Sequence, residues 1–320
     1  MYYIGVDLGG TNIAIGIVNE QYEIVKKGST PTKPDRGADA IIEDMAALAK
    51  KLIADMGITL DDVAWAGVAT PGTANSATGI VEYANNIPFL NYPLADKLSA
   101  LLDGKTVYIE NDANAAAKAE AIAGVAAGAP ISVMITLGTG LGGGIVIDGK
   151  VYSGFNFAGG ELGHVVIEKG GRQCSCGRKG CWEAYSSATG LVNITKDHIV
   201  AARNAGKKTS MEEMIGGDLD KVSARTAFSA MKAGDEVAAE VVDEYISYLA
   251  CGLVNIINIF QPNIISIGGG VCNEGEYLTK PLIEKVFAET YSREGTPQTK
   301  IMVAKLGNDA GIIGAAVLGK

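Results

Sequence analysis

The sequence predicts an α/β protein of two lobes, and three observations carry that expectation. Its 320 residues exceed what a single hydrophobic core usually organises. A hydrophobic share of 48%, with 42 glycines and few aromatics, suits a chain with many tight turns between strands and helices. A strand, a glycine turn and a second strand also occur twice, around Gly9-Gly10 and around Gly138 to Gly143. That echo points to two lobes built by structural duplication.

Charge and composition exclude several classes. A net charge of −9 argues against reading a nucleic-acid backbone, which needs a basic face. It still permits an anionic nucleotide, because helix termini and Mg²⁺ bind phosphate locally. No stretch is apolar and long enough to span a bilayer. MYYIGVDLGG lacks a basic start and meets Asp7 at once, so no signal peptide is expected. The cysteines number five, and Cys251 and Cys272 lie in apolar surroundings as ordinary core residues. A cytoplasmic location is the expectation.

Taken in order, Tyr2 to Val6 reads as a short apolar strand running into Asp7-Leu8-Gly9-Gly10-Thr11. Ile13, Ile15 and Ile17 then alternate as in a second strand. A dinucleotide or P-loop fingerprint needs a helix after its glycines, and here a strand follows. The turn is therefore a hairpin whose N–H groups can face a phosphate, with Asp7 placed to hold Mg²⁺ through water. Gln21 to Lys27 reads as a third strand, and 37–56 as a helix with Ile41, Met45, Leu48, Leu52 and Met56 on one face. Val63 to Ala69 is a strand ending in Thr70-Pro71-Gly72, and Asn85 to Leu94 an irregular loop with two prolines.

Thr106 to Ile109 is a further strand, and Glu110-Asn111-Asp112-Ala113-Asn114 leads into an alanine-rich helix reaching Ala123. Asp112 thus falls in a first helical turn, where an Asp can serve as a cap and where the helix N-terminus favours its ionised form. An ionised carboxylate at the end of a strand also suits a general base for a hydroxyl. Ile131 to Leu137 and Gly144 to Ile147 are strands flanking the second glycine turn, Gly138-Thr139-Gly140. Helices are expected over 184–205, 223–232 and 236–260, with Pro262 stopping the last. Asn263 to Ile267 is a strand entering Gly268-Gly269-Gly270. A strand over 300–306 precedes a final helix, for which Asp309 reads as a cap.

The densest chemistry lies between Ala158 and Glu183, AGGELGHVVIEKGGRQCSCGRKGCWE. Cys174, Cys176, Cys181 and His164 offer three thiolates and an imidazole, a full tetrahedral shell for Zn²⁺. No position is left for an activated water, so the metal would be structural. Disulfides are the alternative, but nothing else suggests an oxidising compartment. Glu161 and Glu183 stand beside these ligands, so a metal here would hold both carboxylates in place.

The run G-E-x-G-H followed by C-x-C-G-x-x-G-C-x-E resembles the signature of the ROK family of sugar kinases and repressors. The D-x-G-G-T turn resembles the phosphate loop of the actin and hexokinase superfamily, and N-D-A-N-A-A resembles the family's catalytic segment. The likeness covers essentially the whole chain. Within the family it is greatest to bacterial enzymes that phosphorylate glucose, in TLGTGLGGG, the full cysteine cluster and LGNDAGIIGAA. It implies a two-lobed actin-like ATPase or ribonuclease H-like (hexokinase-type) fold with a structural zinc loop over 158–183. The small lobe would be residues 1–119 completed by 308–320, and the large lobe 120–307.

The resemblance also implies roles. The reaction would be ATP-dependent phosphorylation of glucose at its 6-hydroxyl, with Asp112 as general base. Asn111, Asp112, Glu161, His164 and Glu183 would hold the sugar, His164 using one nitrogen for zinc and the other for sugar. Asp7, Gly9, Gly10, Thr11, Gly138, Thr139 and Gly140 would position phosphates and Mg²⁺, and Gly268, Gly269 and Gly270 would pack on the adenosine. Placement and lobe closure would carry the rate. Other family substrates, N-acetylmannosamine, N-acetylglucosamine, fructose or allose, stay open, as does the phosphoryl donor. A sugar-sensing repressor is disfavoured, because the chain starts at its first strand, with no preceding DNA-reading segment, and is acidic. The partners implied are a small sugar and a nucleotide, without nucleic acid or membrane, in a homodimer or homotetramer.

Overall fold

The computed structural model describes residues 1–292 and 296–320. They form two compact units, one of Met1–Met134, Gly144–Gly160 and Ala304–Lys320, the other of Ile135–Gly143 and Glu161–Val303. Among the described residues no helix is long and apolar enough to cross a membrane.

The first unit is built on β1 (Tyr2–Leu8), β2 (Asn12–Val18) and β3 (Ile24–Pro31), followed by α1 (Ala38–Asp55) and β4 (Val63–Thr70). A small three-stranded sheet comes next, from β5 (Thr73–Asn75), β6 (Ile80–Tyr83) and β7 (Leu90–Tyr92). Then α2 (Leu94–Leu101), β8 (Val107–Asn111) and α3 (Asp112–Ala123) follow. The main sheet has the order β3-β2-β1-β4-β8. Its first three strands are antiparallel, while β4 runs parallel to β1 and β8 parallel to β4. Buried Ile4, Val6, Leu8, Ile13, Ile15 and Ile17 pack with Ile41, Met45 and Leu52 of α1, so one alternating face meets one helical stripe.

Strands β9 (Ile131–Leu137), β10 (Leu141–Ile147), β11 (Lys150–Val151), β12 (Ile264–Gly268) and β13 (Lys300–Val303) form a second sheet in the order β11-β10-β9-β12-β13. The helices of the second unit are α4 (Glu183–Ser186), α5 (Ala188–Asn204), α6 (Ser210–Met214), α7 (Thr226–Lys232), α8 (Glu236–Phe260) and α9 (Glu276–Glu289). Helix α10 (Ala310–Ala316) returns to the first unit.

Several boundaries differ from those expected. The third strand starts later, at Ile24. Asn19 accepts from the N–H groups of Gln21 and Glu23, and Tyr22 takes a left-handed φ of 65°, so these residues make a turn. The loop over 85–94 contains β7, paired antiparallel with β6. The helix expected over 184–205 divides into α4 and α5, because Ser187 is extended and its hydroxyl accepts from Gly190 N–H at 2.9 Å. The strand expected over 300–306 ends at Val303.

Close approach fixes α10. Gly5 of β1 and Gly67 of β4 lie under it, and a methyl at Gly67 would stand 2.6 Å from the carbonyl carbon of Ala315. Gly67→Ala forces helix from sheet and is expected to lower stability by about 3 kcal/mol or more. Urea unfolding at unchanged m-value measures it. A midpoint equal to wild type would show that the contact yields without cost.

Candidate active site

In the first unit, β1 and β2 pair from Tyr3–Val18 to Leu8–Ile13, which leaves Gly9, Gly10 and Thr11 as the hairpin turn. Two carbonyls of this turn are tied back. Thr32, fully buried, donates its hydroxyl to Gly9 O at 2.6 Å and its N–H to Thr11 O at 2.8 Å. The N–H groups of Gly10 and Thr11 stay outside these bonds, and main-chain N–H groups of such a turn are the kind that can meet an anion.

Asp7 stands two residues before the turn, paired with Ala14 on one side and Ala69 on the other. Burial, and secondarily the charge of Asp112, pushes its carboxyl up to about 6. A side chain at 311 would collide with it, since a methyl there would come 2.5 Å from Asp7 Oδ2. Glycine at 311 is thus a condition of the Asp7 placement.

Asp112 opens α3 but does not cap it. Asn111 is the cap, extended at φ −60° and ψ 147°, and its Oδ1 accepts from Ala113 N–H at 3.0 Å and Asn114 N–H at 3.2 Å. The Asn111 amide nitrogen donates to Gly72 O at 3.1 Å, which leaves one amide hydrogen for a ligand. Asp112 Oδ1 accepts from Ala113 N–H at 2.8 Å. Water reaches Asp112, yet the protein around it pushes its carboxyl above the ordinary range, against the lowering effect of its hydrogen bonds. The helix N-terminus is expected to favour the ionised form, but desolvation is the larger cause and raises the carboxyl.

In the second unit, the ligand atoms of His164, Cys174, Cys176 and Cys181 all lie within 4.8 Å of one another. Cys174 Sγ is 3.7 Å from His164 Nδ1, and Cys176 Sγ is 3.6 Å from Cys181 Sγ. Thiolates about 2.3 Å from a tetrahedral Zn²⁺ would be separated by about 3.8 Å, so the donor set and its spacing fit that metal. All the cysteines are free thiols. Burial first, then the neighbouring sulfurs, pushes Cys181 up to about 12, while the Arg178 N–H lowers Cys176. Such ligands bind a metal as thiolates, so binding there would release protons.

Trp182, between the last cysteine and Glu183, anchors the loop. It is 1% exposed, donates its indole N–H to Tyr248 O at 3.0 Å, and fits because residue 252 on α8 is glycine. Glu183 then spans two structures. Its Oε2 accepts from Leu141 N–H at 2.9 Å, and its Oε1 lies 3.6 Å from Cys174 Sγ and 3.4 Å from Ser175 Oγ. Gly140 has no side chain because Glu183 occupies that space. Glu161 is exposed and begins the one-turn helix Leu162–His164.

The second glycine turn follows the rule of the first. Gly138 O accepts from Ala188 N–H at 2.9 Å, and Thr139 O from the Thr189 hydroxyl at 2.7 Å. The N–H groups of Thr139 and Gly140 stay outside these bonds, beside the N-terminus of α5. A cleft of 580 Å³ opens there, lined among others by Thr139, Gly140, Arg172, Glu183, Thr189 and Asn193. Gly268 ends β12, and Gly269, at φ 98°, lies against the main chain of Leu137, where a side chain would not fit.

Glu110 escaped the sequence reading. It is 5% exposed and accepts from Asn111 N–H at 2.9 Å and Asn114 Nδ2 at 3.1 Å. The available signal was an acid placed next to Ile109 at the end of a strand.

Comparison with known proteins agrees across the chain. The ROK family profile matches residues 3–320. Proteins named glucokinase from Halalkalibacterium halodurans and Thermotoga maritima are 36% and 37% identical, over 100% and 98% of this chain and 95% of each relative. The crystal structure of a ROK family glucokinase from Streptomyces griseus, in complex with glucose and AMPPNP, is 34% identical. It superposes with a TM-score of 0.79 over 99% of both chains.

The crowding of Asp7 has a measurable sign. Its carboxyl is raised from 3.8 to about 6, so its contribution to stability is complete below pH 3.8 and lost as pH rises through 6. Asp7→Asn is expected to match wild type near pH 4 and to exceed it at pH 7.5, by up to about 3 kcal/mol. Urea midpoints at both pH values, without divalent cations, test this. A difference that does not change with pH would exclude desolvated charge as its cause.

Proposed function

The chain belongs to the ROK family, and from that premise we propose that it is a glucokinase, transferring the γ-phosphoryl group of ATP to the 6-hydroxyl of glucose. The observation that carries this reading is the division of labour at the start of α3. Asn111 caps the helix, so Asp112 is released from capping and keeps a carboxylate oxygen for a substrate proton. The relatives named glucokinase, similar over their whole length, support the choice of sugar and donor.

Each unit supplies its own parts. From the first, Asp112 accepts the proton of the 6-hydroxyl as that oxygen bonds to the γ-phosphorus and ADP departs. Its raised carboxyl places it nearer the working pH, where a base is most effective. Asn111 offers its remaining amide hydrogen to the sugar, and Gly9, Gly10 and Thr11 offer main-chain N–H groups to phosphate. From the second, Glu161, His164 and Glu183 hold sugar hydroxyls, Gly138, Thr139 and Gly140 face phosphate, and Gly268 to Gly270 give the adenosine a flat support. Asp7 suits Mg²⁺, a hard cation that takes oxygen ligands and neutralises phosphate charge. His164, Cys174, Cys176 and Cys181 suit a structural Zn²⁺ that fixes the loop carrying Glu183.

The metal is tested on protein purified without added zinc. About one Zn²⁺ per chain is expected by elemental analysis, and Cys176→Ala should lower both the melting temperature and glucose affinity. Metal-free protein with full activity and stability would remove the metal from the account.

The function is tested by a coupled ADP assay over a panel of hexoses and donors, together with Asp112→Asn. Because Asn111 holds the cap and the Asp112 charge is itself disfavoured by burial, the variant should melt no lower than wild type and bind glucose within about tenfold. Its kcat should fall by roughly 10²–10⁴, ~3–5 kcal/mol of barrier. In wild type the acid limb of kcat/KM should lie above the ordinary carboxylate range, with activity lost as pH falls through it. Turnover of the variant within a few-fold of wild type would move the base elsewhere.

A further inference from the structure

We propose that Glu110 is a positioning residue for the strand-to-helix corner that carries Asn111 and Asp112, a role that rests on the kinase reading above. The corner is where β8 stops and α3 starts within one peptide. Asn111 is the last residue of β8 in register with β4, opposite Thr70, and Asp112 is already helical. At such a junction the main-chain N–H of Asn111 needs a partner. Glu110 Oε1 supplies it at 2.9 Å, folding back over its own strand.

The same oxygen accepts from Asn114 Nδ2 at 3.1 Å, one helical turn on. Asn114 is 3% exposed, and its Oδ1 meets no protein donor among the described residues. Glu110 is therefore what orients that amide. The result is a closed brace: Glu110 holds the main chain of Asn111, and Asn111 holds the first turn and Gly72. Asp112 lies inside it with little freedom left in its backbone.

A filler would not be a carboxylate. Burial pushes the Glu110 carboxyl up, opposed by its two hydrogen bonds and by the charge of Lys118. Lys118 is itself 7% exposed and stands one helical turn beyond Asn114 on α3, donating to Leu318 O and Lys320 O. An apolar residue would occupy this place without that desolvation cost, but would leave two buried donors unpaired.

The test compares wild type, Glu110→Gln, Glu110→Ala and Glu110→Asp for kcat, sugar KM, nucleotide KM and melting temperature. Gln keeps an oxygen for both donors, so its kcat should stay within about threefold of wild type, and Ala should lose about ten- to a hundredfold at saturating sugar. The nucleotide KM should move by less than about threefold in both variants. Where Ala does not fold, Asp is read instead; its carboxylate is withdrawn by one methylene, and it should lose more kcat than Gln. A folded Ala variant with wild-type kcat overturns the proposal, as does a Gln variant as impaired as Ala, or an Asp variant no worse than Gln. Wild type that phosphorylates no hexose overturns the kinase reading instead, so the two failures are distinguishable.

Discussion

The parallel register of β1, β4 and β8 is the constraint on which the first unit depends. Asp7 pairs with Ala69, Ala69 with Glu110, and Thr70 with Asn111, so the chemistry-bearing residues stand in one row at the carboxyl ends of parallel strands. Ligands of open α/β sheets bind at such ends. Side chains alternate along a strand, so Asp7 shares a face with Gly5, and Ala69 with Gly67. That face is where α10 lies, and this is why glycine recurs at 5, 67 and 311. A slip of one residue would turn Asp7 to the opposite face and drive Ile4 or Val6 into the helix.

The second unit concentrates its placement in three consecutive residues. Cys181 belongs to the donor cluster, Trp182 fixes the chain to α8, and Glu183 reaches the Leu141 N–H. The cysteine loop and the glycine turn at 138–140 are thereby fastened to one carboxylate. The expected sugar role for Glu183 must be met by lone pairs that remain beside these contacts, since each carboxylate oxygen has more than one.

Much of this was legible in the sequence. Period-two apolar runs around glycines do not suit a helix, and three cysteines with one histidine at short spacing lie within reach of one another in any compact loop. What was missed depended on contacts or angles that composition does not encode. Asn and Asp are nearly equivalent as caps, so only the extended φ and ψ of Asn111 separate its role from that of Asp112. Glu110 was hidden because β8 breaks alternation: Ile109 and Glu110 are both buried, whereas Tyr108 is 37% exposed. Strand β7 has only three residues and is defined by its partner β6. The break between α4 and α5 rests on one serine hydroxyl, a signal that any loop serine shares.

The two groups of ionisable residues share one physical logic. Asp7, Glu110 and Asp112 are all raised by burial, and the Cys181 thiol is raised in the same way. Left to themselves, such groups resist ionisation and draw on the stability of the fold. A dication at either place would reverse that sign, making the ionised form the favoured one. Metal binding there would release protons and stabilise the fold together. Glu110 and Asp112 are each opposed from within by hydrogen bonds, and Glu110 also by the charge of Lys118, yet burial outweighs these in both. What sets Glu110 apart is geometric: its oxygen is engaged by Asn111 and Asn114 inside the corner, whereas Asp112 is exposed.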